Sequence, residues 1–338
     1  MKPYLVDVPV RVNIWIRPEC QRKQFEVLKK ARPSILFLIS DGGRSEKEWE
    51  AIRQNRKLID EGIDWDCTVY RLYEEQNNGM YAMSKKGSEL IWSKVDRCIF
   101  LEDDYVPSIS YFRFCVELLE KYKNDERVSS ICGMVHTGVW ERASTDYFFS
   151  KGGSIWGMAT WKRAFEKRKY QFEYAKDPYT MKLLKEATKD NKIFWKRLKG
   201  YAKKDVYENH PAGSEFFHGV ELYGHRQLHI VPKYNMIKNI GCTADGAHAT
   251  EYRLLPRGLR RVFNIETYEI DFPLKHPKYF LEDADYYRTV NRIMAVGHPM
   301  VELWRRVESA FLAVRYTGFK GVFMRLKKKI VRKSTIEK

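Results

Sequence analysis

Short apolar runs alternate with longer amphipathic segments through the first 135 residues of the chain. The run at residues 35–40 (ILFLIS) is continuously apolar, which is typical of a strand buried on both faces of a sheet. Other β-rich runs occupy residues 10–16, 67–73, 97–101 and 128–132, and helical patterns occupy residues 19–31, 46–59, 80–93 and 110–122. This order predicts an α/β fold with a doubly wound, mostly parallel, Rossmann-like sheet and helices on both faces. Ser110 is the expected N-cap of the last of these helices.

Polar clusters follow three of the predicted strands directly. They are Arg17-Pro18-Glu19, Ser40-Asp41-Gly42 and Glu102-Asp103-Asp104. Ligands of open parallel sheets bind outside the carboxyl ends of the strands. The pattern therefore predicts a binding site that these clusters share.

The acidic triplet Glu102-Asp103-Asp104 is the strongest candidate for chemistry. Adjacent carboxylates repel one another unless a cation neutralises them, and their hard oxygens suit Mg²⁺ or Mn²⁺. Such an ion bridges phosphates and acts as a Lewis acid on a departing diphosphate. The alternative is a solvated turn or a helix cap.

Four further residues carry weaker signals, each with an ordinary structural alternative. His248, beyond a glycine-containing loop, is a candidate nitrogen ligand or a plain loop histidine. Asp41 is a candidate acceptor for a nucleobase or ribose, or a turn residue beside glycine. Trp156 and Trp161 form a candidate platform for an acceptor sugar, or they pack in the core.

The formal net charge of +17 indicates a polyanionic partner, and it is concentrated at one end of the chain. Residues 301–338 contain 11 Lys/Arg and 3 Asp/Glu, and apolar residues interleave with them. This pattern predicts a basic amphipathic helical extension on an anionic membrane surface, with a solvated tail as the alternative.

No window of 18 apolar residues is present, and no signal peptide is expected. We expect a cytoplasmic protein, peripheral on the inner face of the plasma membrane. Six scattered cysteines lack paired CxxC spacing, so they indicate buried thiols in a reducing compartment rather than a zinc site.

Several runs together resemble one family. They are residues 99–108 (IFLEDDYVPS), 111–115 (YFRFC), 155–161 (IWGMATW), 239–241 (NIG) and 247–250 (AHAT), with shorter matches at residues 17–18, 40–42, 63–67 and 78–79. The combination is similar to bacterial nucleotide-diphospho-sugar transferases of the GT-A type. These enzymes are distantly related to the N-acetylglucosaminyltransferase I group. The resemblance covers about residues 9 to 280.

The resemblance implies a GT-A fold, a UDP-sugar donor and a divalent metal, Mn²⁺ or Mg²⁺. Carried over residue by residue, it makes Asp104 and His248 the metal-site residues. The expected nucleotide-sugar contacts are Arg17, Pro18, Asp41, Asn78, Glu102 and Asp103. The expected acceptor contacts are Trp156, Gly157 and Trp161.

One position departs from the family pattern. Where inverting GT-A enzymes place a catalytic acid before a helix, this chain has Gly219. The nearest carboxylates are Glu221 and Glu215, and either is a candidate base for an acceptor hydroxyl. Glu221 is alternatively a residue on a helix face.

The sequence thus predicts sugar transfer from a UDP-sugar to a hydroxyl of a glycan or lipid-linked glycan, in cell-surface polysaccharide synthesis. Residues 1–135 form the expected nucleotide-sugar half, 136–290 the acceptor half and 291–338 the tail. A sugar-nucleotide nucleotidyltransferase is the first alternative, but it predicts a glycine-rich loop after the first strand, and residues 17–20 contain no glycine. A non-catalytic nucleic-acid-binding protein is the second, and no RNA-binding motif supports it, so no nucleic-acid partner is expected.

Overall fold

The computed structural model describes residues 1–167, 173–202, 214–242 and 252–336, with the backbone alone for residues 202, 214, 215, 217 and 320–336. Its strands are β1 (Val6–Ile14), β2 (Pro33–Ser40), β3 (Thr68–Tyr73), β4 (Arg97–Leu101), β5 (Tyr105–Pro107), β6 (Val128–Cys132), β7 (Tyr147–Ser150), β8 (Met158–Trp161), β9 (Leu228–Pro232) and β10 (Ile237–Asn239).

The α-helices of the described ranges are α1 (Pro18–Ala31), α2 (Glu46–Gly62), α3 (Met80–Trp92), α4 (Ser110–Lys121), α5 (Lys162–Phe165), α6 (Pro178–Ala187), α7 (Lys192–Ala202), α8 (Ser214–Gly224), α9 (Arg257–Phe263), α10 (Ala284–Ile293) and α11 (Pro299–Ile336). Short 3-10 helices cover Glu173–Lys176 and Tyr252–Leu254.

Eight strands form one sheet in the order β3-β2-β1-β4-β8-β6-β9-β7. The first four pair in parallel, and β6 pairs in parallel with β9. β8 lies antiparallel between β4 and β6, and β7 is an antiparallel edge strand. The predicted α/β fold with a mostly parallel, Rossmann-like sheet is confirmed, and the arrangement is consistent with a GT-A fold. β5 and β10 form a separate antiparallel pair.

Helices cover both faces of this sheet, as predicted. On one face, Val10 of β1 lies in the same core cluster as Phe25 of α1 and Phe112 of α4. On the other face, Phe37 of β2 packs in a cluster with Met83 of α3. Full burial of each such side chain contributes roughly 1.5–3 kcal/mol, so both helical layers stabilise the sheet.

The start of α4 differs from the expectation that Ser110 is its N-cap. Ile109 occupies the cap position, and the carboxylate of Glu269 accepts hydrogen bonds from the N–H groups of Ile109 (2.9 Å) and Ser110 (2.7 Å). The Ser110 hydroxyl instead accepts from the N–H of Ile270. A carboxylate from a distant segment satisfies the helix end, and a charged acceptor makes the stronger bond.

The predicted C-terminal helical extension is α11, which has a non-helical residue at Gly318 (φ 65°). Among the described residues, no helix combines the length and apolarity needed to cross a bilayer. The six cysteines are free thiols, and four of them are buried.

Candidate functional site

The polar segments after β1, β2, β3 and β4 share one edge of the sheet, because those four strands run in parallel. The acidic triplet begins directly after β4, and Asp41 comes directly after β2. Arg17 lies just before α1, and Asn78 lies between β3 and α3. The structure therefore brings together the clusters that the strand pattern placed at this edge.

A largely buried ion pair joins Arg17 to the triplet. Its Nε donates to Oδ2 of Asp103 at 2.9 Å, and its Nη2 donates to Oδ1 of the same carboxylate. Its Nη1 donates to Oδ2 of Asp104 at 3.0 Å. The side chains of Asp103 and Asp104 are only 7% and 14% exposed, so neither faces bulk solvent. The fork geometry of the guanidinium fixes the orientation of both carboxylates.

Arg17 has one positive charge and faces two aspartates, so the group has a net charge of −1 when both carboxylates are ionised. Burial raises the pKa of Asp104 to about 6, with the charge of Asp103 adding to the rise and Arg17 opposing it. Burial alone would lower the pKa of Arg17, but its hydrogen bonds and charge contacts with the two aspartates raise that pKa. Arg17 therefore stays charged, and an added cation would favour the ionised form of Asp104.

Gly241 closes over Asp104 from the other side. The pairing of β10 with β5 sets Asn239 opposite Tyr105, and the next residue, Ile240, donates its N–H to the carbonyl of Asp104 at 3.0 Å. The N–H of Gly241 is held by the Asn239 side chain at 2.8 Å. This small antiparallel pair thus positions the segment before residue 243 against the acidic triplet.

Two polar side chains that the sequence analysis missed donate hydrogen bonds to the triplet and to the residue after it. Gln24 is fully buried, and its amide donates to the carbonyls of Glu102 and Tyr105. Asn13, near the end of β1, donates to the Glu102 carboxylate. A signal for Gln24 exists in the sequence, because it interrupts the apolar stripe of α1 at the spacing of Cys20 and Leu28.

The donor set suits a metal ion shared with a ligand, not a closed protein cage. No cluster of three or more His, Cys, Asp or Glu side chains with metal-binding geometry occurs among the described residues. Both carboxylate oxygens of Asp103 accept hydrogen bonds from Arg17. Within the described part of the chain, Oδ1 of Asp104 receives no hydrogen bond. Mg²⁺ in proteins commonly takes one or two carboxylates, substrate phosphates and water. Asp104 fits that role.

Asp41 connects two loops at this edge of the sheet. Its Oδ1 accepts from the N–H groups of Gly42 (2.9 Å) and Asn78 (2.8 Å), and its Oδ2 accepts from the N–H of Gly79 (2.8 Å) and the amide of Asn77 (3.1 Å). A carboxylate has about four acceptor positions, so these bonds saturate it. Asp41 joins the loops after β2 and β3, and its contact with a base or ribose stays a prediction.

Pro18 and Asn78 also have local structural partners. Pro18 is the first residue of α1, where a missing N–H costs nothing. The Asn78 amide donates to the Gln76 carbonyl at 2.8 Å, and its oxygen accepts from Lys86 at 3.1 Å. Both residues shape the edge, and their contact with a nucleotide sugar stays a prediction.

The two tryptophans separate into one at the site and one in the core. Trp156 is partly exposed, and its ring lies 6.3 Å from that of Tyr105, which follows the triplet. Gly157 has φ 61°, and a Cβ there would lie 2.4 Å from Ile237, so only glycine fits. Trp161 is buried, and its N–H donates to the Leu119 carbonyl. The burial of Trp161 supports the alternative of core packing, and its contact with an acceptor sugar stays a prediction.

Glu221 lies on α8, and its Oε2 is 2.9 Å from Nε2 of His225. One turn before it, His218 bonds to the hydroxyl of Ser129 at 2.6 Å, close to the start of β6. α8 ends shortly before β9, which runs parallel to β6, so Glu221 lies still nearer the amino end of these strands.

The triplet lies at the opposite edge from Glu221. β4 and β6 both pair antiparallel with β8, so they are parallel to each other. A five-residue strand spans about 16 Å, which separates the start of β6 from the edge that follows β4. The structure therefore does not bring Glu221 to the triplet, and it supports the alternative of a residue on a helix face. The side chain of Glu215 and all of His248 lie outside the described residues.

The chain has only distant structural similarity to known proteins. No family profile matches the chain, and no curated protein matches it. Among solved structures, it is similar to a UDP-glucose pyrophosphorylase complexed with UDP-glucose (TM-score 0.34, 10% identity, 68% of this chain and 91% of that one). It is also similar to mouse xyloside xylosyltransferase 1 (TM-score 0.35, 15% identity, 67% and 85%) and to A197 from STIV (TM-score 0.26, 12% identity, 50% and 69%).

Proposed function

We propose that the chain is a metal-dependent glycosyltransferase that moves a sugar from a UDP-sugar to a hydroxyl of a glycan or lipid-linked glycan. The observation that carries this proposal is the position of Asp104. It is a mostly buried carboxylate at the carboxyl edge of four parallel strands, and Arg17 donates to its Oδ2, whereas its Oδ1 receives no hydrogen bond from the described residues. Ligands of such sheets bind at this edge. In this proposal residues 1–135 hold the donor and residues 136–290 the acceptor.

In this proposal each residue of the site has its own role. Arg17 holds Asp103 and Asp104 in a fixed orientation, so no reorganisation is needed when a diphosphate arrives. Mn²⁺ or Mg²⁺ at Asp104, when bound, would neutralise charge on the departing diphosphate. Gly241 lies so close to Asp104 and Arg17 that no side chain fits between them. Trp156 presents an aromatic ring beside Tyr105, where an acceptor sugar can stack.

The nucleotidyltransferase alternative is less well supported by the same geometry. It needs a glycine-rich loop that wraps phosphates between the first strand and the first helix. Only residues 15–17 separate β1 from α1, and Arg17 is committed to the triplet. A nucleic-acid-binding role is also less well supported, because the positive charge is concentrated in residues 301–338 and the sheet edge is acidic.

The test begins with ligand binding. A thermal-shift screen of UDP, GDP, CMP and dTDP sugars, each with and without Mn²⁺, should show the largest stabilisation with a UDP-sugar and metal together. Asp104→Ala and Asp104→Asn should abolish both the metal-dependent shift and sugar transfer, while urea unfolding shows a folded chain. Asp66→Asn, at an exposed aspartate before β3, is the matched control and should behave as wild type. Undiminished transfer by Asp104→Asn would refute the metal role.

A further inference from the structure

The first half of α11 presents a continuous apolar stripe to solvent. The side chains of Met300, Leu303, Trp304, Val307 and Phe311 are each between 54% and 75% exposed. Met300, Trp304, Val307 and Phe311 are spaced by three or four residues, and Leu303 is four residues before Val307, so all five lie on one face of the helix. Isolated exposed apolar residues are ordinary, but a stripe of five on one helix face marks an interaction surface.

The body of the protein holds α11 by its other face. Leu312 is buried, and Glu308 accepts a hydrogen bond at 2.8 Å from the N–H of Arg257 at the start of α9. Arg305 donates to the carbonyl of Ile293 in α10. The helix is therefore fixed, with the apolar stripe directed away from the contacts that hold it.

We propose that this stripe lies in the interfacial layer of an anionic lipid bilayer. The charge that follows the stripe selects this partner: residues 301–311 contain 2 Arg and 2 Glu, whereas residues 312–338 contain 9 Lys/Arg and 1 Asp/Glu, a net +8. Arg306 pairs with Glu302, whereas exposed Arg315 lies on α11 one turn after the stripe. A helix with an apolar face and a basic flank lies along the headgroup boundary, with aromatic and aliphatic side chains inserted. α11 would lie on the membrane and not cross it, which agrees with its hydropathy.

Other partners fit the surface less well. A second copy of the chain carries the same positive excess in residues 312–338, so the two basic segments would repel each other at low ionic strength. A nucleic acid would match the charge, but it offers nothing to bury Leu303, Trp304 and Phe311. An anionic bilayer satisfies both features, because each basic residue near its surface adds about 1 kcal/mol of attraction and the apolar groups leave water.

Vesicle co-sedimentation of the full chain tests this proposal, using mixed phosphatidylcholine–phosphatidylglycerol vesicles and pure phosphatidylcholine vesicles. We expect stronger binding to the mixed vesicles and a loss of that preference as salt is added. Trp304→Glu should lower the partition coefficient by about tenfold or more, since it replaces an inserted ring with a charge. Leu281→Glu, at a residue that is equally exposed outside α11, is the matched control and should bind as wild type.

Two results would overturn the proposal. One is vesicle binding by Trp304→Glu that equals wild type. The other is a wild-type dimer in lipid-free solution that Trp304→Glu converts to monomer, which would make the stripe a contact between copies. Neither measurement involves a sugar nucleotide, so the outcome is independent of the proposed enzyme activity.

Discussion

Gly241 lies directly against the carboxylate of Asp104. A methyl group added at Gly241 would be 1.9 Å from Oδ2 of Asp104 and 2.4 Å from Nη1 of Arg17, so one of the three groups would have to move. We expect Gly241→Ala to lower the free energy of unfolding by about 1–3 kcal/mol, the usual cost of overpacking. If the proposed function is correct, binding of UDP should weaken as well, because the ion pair is displaced. Urea unfolding and calorimetric titration with UDP measure the two effects.

Gly200→Ala provides the control for that substitution. Gly200 lies in α7, and a methyl group there would meet no atom within 4 Å. Alanine favours a helix over glycine by roughly 1 kcal/mol, so we expect unchanged or slightly higher stability. Equal stabilities for the two variants would show that the close approach at Gly241 does not matter.

The ion pair of Arg17 gives a second prediction. Arg17→Met would leave Asp103 and Asp104 buried without a counter-charge, and we expect a loss of about 3–5 kcal/mol in the free energy of unfolding. Adding Asp103→Asn to Arg17→Met should recover part of that loss, since it removes one uncompensated charge. Denaturant unfolding of the single and double variants measures the coupling. A double variant less stable than Arg17→Met alone would contradict this account.

The hydrogen bonds of Asp41 give a third prediction, which separates a structural role from a ligand contact. Asp41→Ala would leave three backbone N–H groups without their acceptor, so we expect a loss of about 2–4 kcal/mol in stability. Asp66→Ala, at an exposed aspartate, should change stability by less than about 0.5 kcal/mol. If Asp41→Ala keeps wild-type stability and loses only UDP binding, the ligand role is the correct one.

The parallel half of the sheet was predictable because its strands are buried on both faces. The run at residues 35–40 lies within β2, and residues 97–101 coincide with β4. The insertion of β8 between β4 and β6 had no comparable signal, since strand order depends on contacts between distant segments. The Ser110 cap failed for the same reason, because Glu269 lies far along the chain.

The site was predictable in location but not in its contacts. Strand ends indicate an edge, and the acidic triplet lies there as expected. Nothing local shows that Arg17, 86 residues before Asp103, neutralises that carboxylate. The predicted need for a cation at the triplet is thus met in part by the chain itself. Residue type also could not show that Asp41 is saturated, because that depends on the loop after β3.

His136 gives the last prediction, which concerns pH. Its ring lies against Tyr286, and burial lowers its pKa from 6.5 to about 4. The unfolded chain therefore binds a proton more tightly than the folded chain between these two values, so the free energy of unfolding should fall as the pH falls through that window. Because part of the residue reaches solvent, we expect about 1–2 kcal/mol. His136→Gln should lose this component in urea unfolding across the pH range, whereas His298→Gln, at an exposed histidine, should retain it. Identical pH profiles for wild type and His136→Gln would show that His136 titrates alike in both states.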